Sequence, residues 1–235
     1  MIELEAFMVF GTRKRSTARF GEFFAALAVL ASCTGALHGQ TTMTALNRAE
    51  TAYRGMQTLR AEFSQTLEYP MMGDPVVSRG TVFLAPPSRF SMRFADPGGD
   101  RIICDGTWLW LHLPSSVPNQ VIRQPIPSRG AATPNLLAQF VDRPLEHYMA
   151  SYVGSDTVMG NVVDVVRLVP RRDDDPFNEA EVAITRTGGL VQRLVVVESA
   201  GQRRTIVFDQ IQVDIEIPDS ELQFVVPDGT RVIVP

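Results

Sequence analysis

Hydrophobic and polar residues alternate most cleanly at Phe90-Ser91-Met92-Arg93-Phe94, which puts Phe90, Met92 and Phe94 on one face of a strand and Ser91 and Arg93 on the other. Strand patterns of this kind recur over Ala61–Tyr69, Arg79–Leu84, Ser88–Phe94, Arg101–Asp105 and Thr107–Leu113. Turn-forming residues separate them: Pro70, Gly73, Pro86-Pro87, Pro97-Gly98-Gly99 and Asp105-Gly106. The last of these strands, Trp108-Leu109-Trp110-Leu111, is apolar on both faces, so alternation leaves its facing open. A second run covers Val162–Pro170, Ala180–Arg186, Leu190–Glu198, Arg203–Val213 and Glu221–Val226, with Gly188-Gly189 as a hairpin signal between two of them. Helical spacing predicts a helix over Met43–Leu59, with Leu46, Ala49, Tyr53 and Met56 on its apolar stripe. A second helical stretch, Asn135–Tyr152, carries Leu136, Leu137, Phe140 and Val141 and is broken by Pro144. Pro114 to Pro134 reads as a long excursion without period. These signals predict a mainly β (α+β) fold: one strongly curved antiparallel sheet, with no composition break to divide it.

Composition sharpens the picture in two places. A hydrophobic fraction of 45% in 235 residues is enough for a real core, and the net charge of −4 leaves no basic footprint for nucleic acid. At the N-terminus, Arg13, Lys14, Arg15 and Arg19 precede a short apolar run, Phe23 to Leu30, and then small residues. That order predicts a secretory signal peptide over residues 1–39, leaving 40–235 as the mature domain. Leu30-Ala31-Ser32-Cys33 also matches the site at which bacterial lipoproteins are cleaved and acylated, which makes Cys33 a lipidation candidate. Removal of the leader leaves Cys104 as the only thiol, too few for an internal disulfide.

Catalytic chemistry is sparse. His38, His112 and His147 are scattered, no His or Cys pair has metal-ligand spacing, and neither a nucleophile elbow nor a phosphate loop occurs. Asp173-Asp174-Asp175-Pro176 reads as a solvated turn. The expectation is a protein without catalytic, metal or cofactor sites.

The order of motifs resembles the outer-membrane lipoprotein carrier family LolA, within the wider superfamily that includes the outer-membrane acceptor. The resemblance runs from about Ala45 to Val232. It rests on Phe63-Ser64-Gln65, Gly80-Thr81-Val82-Phe83-Leu84 before Pro87, Arg89-Phe90-Ser91-Met92-Arg93-Phe94, Ile102-Ile103-Cys104-Asp105-Gly106-Thr107-Trp108-Leu109-Trp110 and Phe224-Val225-Val226-Pro227-Asp228-Gly229. The family implies an unclosed β-barrel with helices as a lid over an apolar concave face. It implies a periplasmic monomer that takes acylated lipoproteins from an inner-membrane ABC transporter to an outer-membrane acceptor, with no cofactor and no catalysis. At the position of Phe90 the family places an aromatic important for transfer, and Met92 stands where Trp is usual. The basic residue that precedes the Pro and ties down the lid is replaced by Pro86, with Arg89 as the candidate latch instead.

On this reading Phe63, Phe83, Phe90, Met92, Phe94, Trp108 and Trp110 line a lipid-binding cavity, and Leu136, Leu137 and Phe140 sit on the lid. Two rivals share the scaffold. A lipid-anchored outer-membrane acceptor is supported by the Leu30–Cys33 motif and by Met71-Met72 in a loop. The other is a lipid-binding sensor module.

Overall fold

Strand pairing dominates the chain. The computed structural model describes residues 39–126, 137–172 and 175–235. A helix, α1 (residues 39–55), leads into β1 (Leu59–Tyr69), β2 (Met72–Ala85), β3 (Arg89–Asp96), β4 (Gly98–Asp105), β5 (Trp108–His112) and β6 (Gln120–Pro125). Two single-turn helices, α2 (Ala138–Val141) and α3 (Pro144–His147), precede β7 (Tyr148–Val158), β8 (Asn161–Pro170), β9 (Phe177–Thr185), β10 (Val191–Glu198) and β11 (Arg203–Val213). The described chain closes with α4 (Asp219–Leu222) and β12 (Arg231–Ile233). All the strands join one sheet in the order β12-β6-β5-β4-β3-β2-β1-β11-β10-β9-β8-β7, whose two edges do not meet. Among the described residues every pairing is antiparallel except β12 on β6.

The sheet curves because both halves bury the same face. Phe63, Val82 and Met92 from one half share a cluster with Leu168, Val182, Leu194 and Ile206 from the other. Leu46 and Ala49 of α1 and Phe140 of α2 complete that cluster, so helices cover one end of the concave face. Two glycines allow the close approaches this requires. A Cβ on Gly80 would collide with the Arg93 carbonyl and stand 2.9 Å from the Phe63 ring, at a register irregularity between β2 and β3. Gly189, at φ +70° in the β9–β10 turn, lets the α1 backbone pass where a Cβ would lie 2.6 Å from the Arg48 carbonyl oxygen.

Ionic contacts fasten α1 to the sheet. Arg48 Nη2 donates to Asp164 Oδ2 at 2.8 Å and Arg48 Nε to the Thr185 carbonyl at 3.0 Å, while Arg186 Nη2 and Nε reach Asp164 Oδ1 at 2.8 and 2.9 Å. Burial works to raise the Asp164 pKa, but the hydrogen bonds from Arg186 and Arg48 outweigh it and hold the carboxyl below the usual range. A depressed folded-state pKa gives stability that is present above the ordinary carboxylate range and lost as pH falls through the depressed value. Asp164→Asn is expected to cost about 1–3 kcal/mol at neutral pH, below a fully buried pair because solvent screens the half-exposed Arg186. Denaturant melts between pH 7 and 3 check this: the gap between the variant and the parent closes as the pH falls.

Several predicted elements shift. Helix α1 stops at residue 55, since β1 claims Leu59. The expected helix over Asn135–Tyr152 survives as two turns, because Arg143 adopts left-handed geometry (φ 47°) before Pro144 and Tyr148 pairs with Pro170. The excursion contains β6, and Glu221–Val226 is no strand: it folds as the end of α4 and an extended strap. Residues 1–38 of the predicted leader, Cys33 among them, and Leu136 lie outside the described residues.

Candidate functional site

On the concave face, register fixes what lines the space. Leu84 faces Phe90, Val82 faces Met92, and Gly80 faces both Phe63 and Phe94, so successive rows climb the wall from the helix-covered end. On the next strands Cys104 pairs with Phe90 and Leu109, and Ile102 with Met92 and Leu111. Above them opens a cavity of about 580 Å³, lined by Phe90, Met92, Phe94, Ile102, Leu109 and Leu111 and, on the other wall, by Ile206. The size lies within the ~300–1,000 Å³ of typical small-molecule sites. Its mouth is formed by Leu67, Tyr69, Val76, Pro97 and Leu113, near a hairpin tip where Met71 is 94% exposed.

Below the cavity, Phe90, Met92 and Ile206 also border a wholly apolar void of about 10 Å³ closed by Leu137. The floor is therefore a lid contact made by apolar packing. Behind Leu137, Phe140 is 1% exposed and meets Tyr148 and Phe177 at ring-centroid distances of 6.0 and 5.5 Å. Arg54 of α1 reaches Asp142, next to α2, at 3.5 Å.

Some expected lining residues are there and others are not. Phe90, Met92 and Phe94 line the cavity, and Phe63 supports it from within the core, its ring edge-on to Phe94 at 5.3 Å. Phe83 points the other way: it pairs with Ser91 and alternates with the inward Val82 and Leu84. Trp108 and Trp110 also face outward, with Leu109 and Leu111 inside. The reason lies on the convex side. After β11 the chain returns as a strap, and Phe224 stacks on Trp110 at 5.2 Å. The Arg123 guanidinium sits 4.6 Å from the Trp108 ring centroid, and Trp110 Nε1 donates to Asp105 Oδ2 at 2.7 Å. Burial works to raise the Asp105 pKa, but the hydrogen bonds from the Trp108 amide, the Trp110 indole and the Thr107 amide together hold the carboxyl below its usual range.

Arg89 is no lid latch. With Phe90 inward, Arg89 points outward and binds Asp219 of the strap at 2.9 Å, as Arg93 binds Glu221 at 2.9 Å. Leu137 and Phe140 do sit on the covering helix and the residue before it.

Sequence reasoning passed over polar residues on this apolar face. Gln65 and Ser78 are buried, and Arg204 and Glu198 stand beside them, all four lining the cavity. The signal was present: Gln65 is in phase with Phe63, and Arg204 with Ile206 and Phe208. Cys104, also inward, is fully buried, its thiol pushed up by burial and donating to the Ser88 carbonyl at 3.0 Å. Among the described residues no three His, Cys, Asp or Glu side chains gather in a metal-binding group, and no helix is long and apolar enough to cross a membrane.

Residues 54–225 match the family described as "Outer membrane lipoprotein carrier protein LolA". The outer-membrane lipoprotein carrier protein of Methylibium petroleiphilum is 26% identical over 207 residues, covering 88% of this chain and 96% of that protein. The protein of the same name from Pseudomonas aeruginosa is 29% identical over 213 residues, covering 90% and 96%. Among solved structures, an uncharacterized conserved protein from Thermus thermophilus superposes with a TM-score of 0.53 at 13% identity, over 82% of this chain and 98% of that one, a likeness of fold.

Proposed function

This chain belongs to the LolA family of outer-membrane lipoprotein carrier proteins, and from that membership we propose that it is a periplasmic chaperone that shelters the acyl chains of lipoproteins in the cavity between its curved sheet and its helical lid. The observation that carries the reading is the open cavity of about 580 Å³ whose wall is largely apolar, with Phe90, Met92, Phe94, Leu109 and Leu111 along it. Each methylene moved out of water gains about 0.8 kcal/mol, so acyl chains cross an aqueous compartment only under cover. The cover must also let go. Met92 supplies an adaptable surface that fits chains of different length without locking onto one. A lid floor of apolar contacts around Leu137 opens without breaking a buried ion pair, since the Arg54–Asp142 contact beside α2 is solvent-exposed.

The protein receives its cargo from an inner-membrane ABC transporter and delivers it to an outer-membrane acceptor, acting as a monomer after export through the leader of residues 1–39. It binds and releases; nothing in this reading calls for catalysis. Isolation from a native periplasmic extract followed by mass spectrometry of the bound lipid tests it. Acylated peptides or intact lipoproteins are the expected companions. Recovery of free phospholipid or glycolipid alone would overturn the assignment.

A further inference from the structure

We infer that Arg204, Gln65 and Ser78 form a polar belt inside the cavity that binds the neutral ester or amide carbonyls at the head of an acylated cargo, and that Glu198 turns this belt against anionic headgroups. The inference rests on the carrier reading and adds a ligand class to its site.

Register places the belt. Phe63, Gly80 and Phe94 form the aromatic row; Gln65, Ser78 and Ile206 form the next row toward the mouth; Leu67, Val76 and Arg204 the one after. Residues two apart on a strand are separated by about 7 Å, so the belt stands one to two rows beyond the greasy floor. A chain with its tail against Phe94 and Met92 therefore brings its polar end to this height. Gln65 and Ser78 are each 5% exposed, so the wall holds buried polar groups that need partners.

Those partners are loosely made. Gln65 Nε2 donates to Ser78 Oγ at 3.3 Å, Arg204 Nη1 to Gln65 Oε1 at 3.3 Å and Arg204 Nη2 to Glu198 Oε1 at 3.2 Å. Each exceeds the common N–H···O separation of about 2.9–3.0 Å. Arg204 Nε is buried and has no acceptor among the described residues. Nε itself is enclosed, but the side chain keeps 23% exposure and has further Nη N–H donors beyond those two bonds, so an acceptor entering the cavity can reach it, and it has none of its own to offer. The charge nearby decides which acceptor. Glu198 already compensates Arg204, and Asp100 lines the same cavity, 6% exposed and accepting from the Ser115 amide and hydroxyl at 3.0 and 2.6 Å. Two carboxylates against one guanidinium repel a phosphate or free carboxylate, whereas a carbonyl oxygen brings no charge.

Fluorescence displacement on the purified mature chain tests this with a synthetic diacylglyceryl-cysteine peptide, phosphatidylglycerol and a pyrene-labelled alkane. The parent protein is expected to prefer the lipopeptide to phosphatidylglycerol. Arg204→Leu should weaken the lipopeptide about tenfold, the worth of one charge-assisted hydrogen bond, and leave the alkane within about twofold. Glu198→Gln should improve phosphatidylglycerol relative to the lipopeptide by about tenfold. Retained alkane binding shows that each variant keeps its cavity. Lipopeptide affinity unchanged by Arg204→Leu, or lost in step with the alkane, overturns the belt, as does a parent preference for phosphatidylglycerol. Alkane binding without any lipopeptide binding would instead remove the carrier reading itself.

Discussion

Phe94→Glu is expected to weaken acyl-chain binding roughly 100-fold while leaving a folded protein. Phe94 lines the cavity and is only half-buried, so a carboxylate there stays hydrated and ionised in the empty protein. A hydrocarbon tail must strip that hydration or stop short of it. Excluding three or four methylenes, at about 0.8 kcal/mol each, weakens binding roughly 100-fold. The fold loses mainly the edge-on contact with Phe63, worth about 0.5–1.5 kcal/mol. Titration with a fluorescent long-chain acyl probe, alongside a thermal melt that moves by only a few degrees, checks both halves. The neighbouring change Phe90→Glu is a poorer instrument: Phe90 is 5% exposed between Leu84 and Cys104, so a charge there destabilises the fold as well as the site.

Phe140→Ala should produce the largest loss of stability among the covering residues, about 3–5 kcal/mol. Its ring packs against Tyr148 and Phe177, which themselves lie 6.0 Å apart, within the core cluster, so truncation removes the member that joins the two aromatics to the lid. Equilibrium denaturation measures this as a lower midpoint with an unchanged slope. Leu137→Ala behaves differently. Leu137 borders the small void beneath the cavity from the lid side, so truncation enlarges that void and loosens the floor. The expected result is a smaller stability loss with faster exchange of a bound acyl probe. Equal losses at the two positions would show that the whole lid is merely core.

Much of this arrangement is legible in the sequence, and the failures have a common cause. Alternation orients β3 correctly because its convex face carries Ser91 and Arg93, which differ plainly from Phe90, Met92 and Phe94. It fails at β5, where both faces are apolar for unrelated reasons: Leu109 and Leu111 meet the cavity, while Trp110 meets Phe224 of a strap more than a hundred residues later. Phe83 misleads in the same way, being flanked by two smaller inward residues, Val82 and Leu84. Side-chain size is no guide to facing when both faces are covered. Arg89 invites a latch role by proximity in sequence, yet one step along a strand reverses its direction and sends it to Asp219. Tyr148 to Val158 lacks a strong strand period because its outward positions carry the apolar Met149 and Val153, both exposed, while its inward ones include the small Ala150 and Gly154. The polar belt is readable only as a phase error, a Gln and an Arg falling where apolar residues are due.

The central claim, that acyl chains occupy the concave face, is most directly tested by photo-crosslinking. A diacylglyceryl-cysteine peptide carrying a diazirine near one chain terminus is bound, irradiated and digested, and the adducts are mapped. The account predicts saturable adducts on Phe90, Met92, Phe94, Leu109 and Leu111, competed away by unlabelled lipopeptide. Adducts concentrated on Phe83, Trp108 or Trp110, or labelling that no competitor reduces, would contradict it.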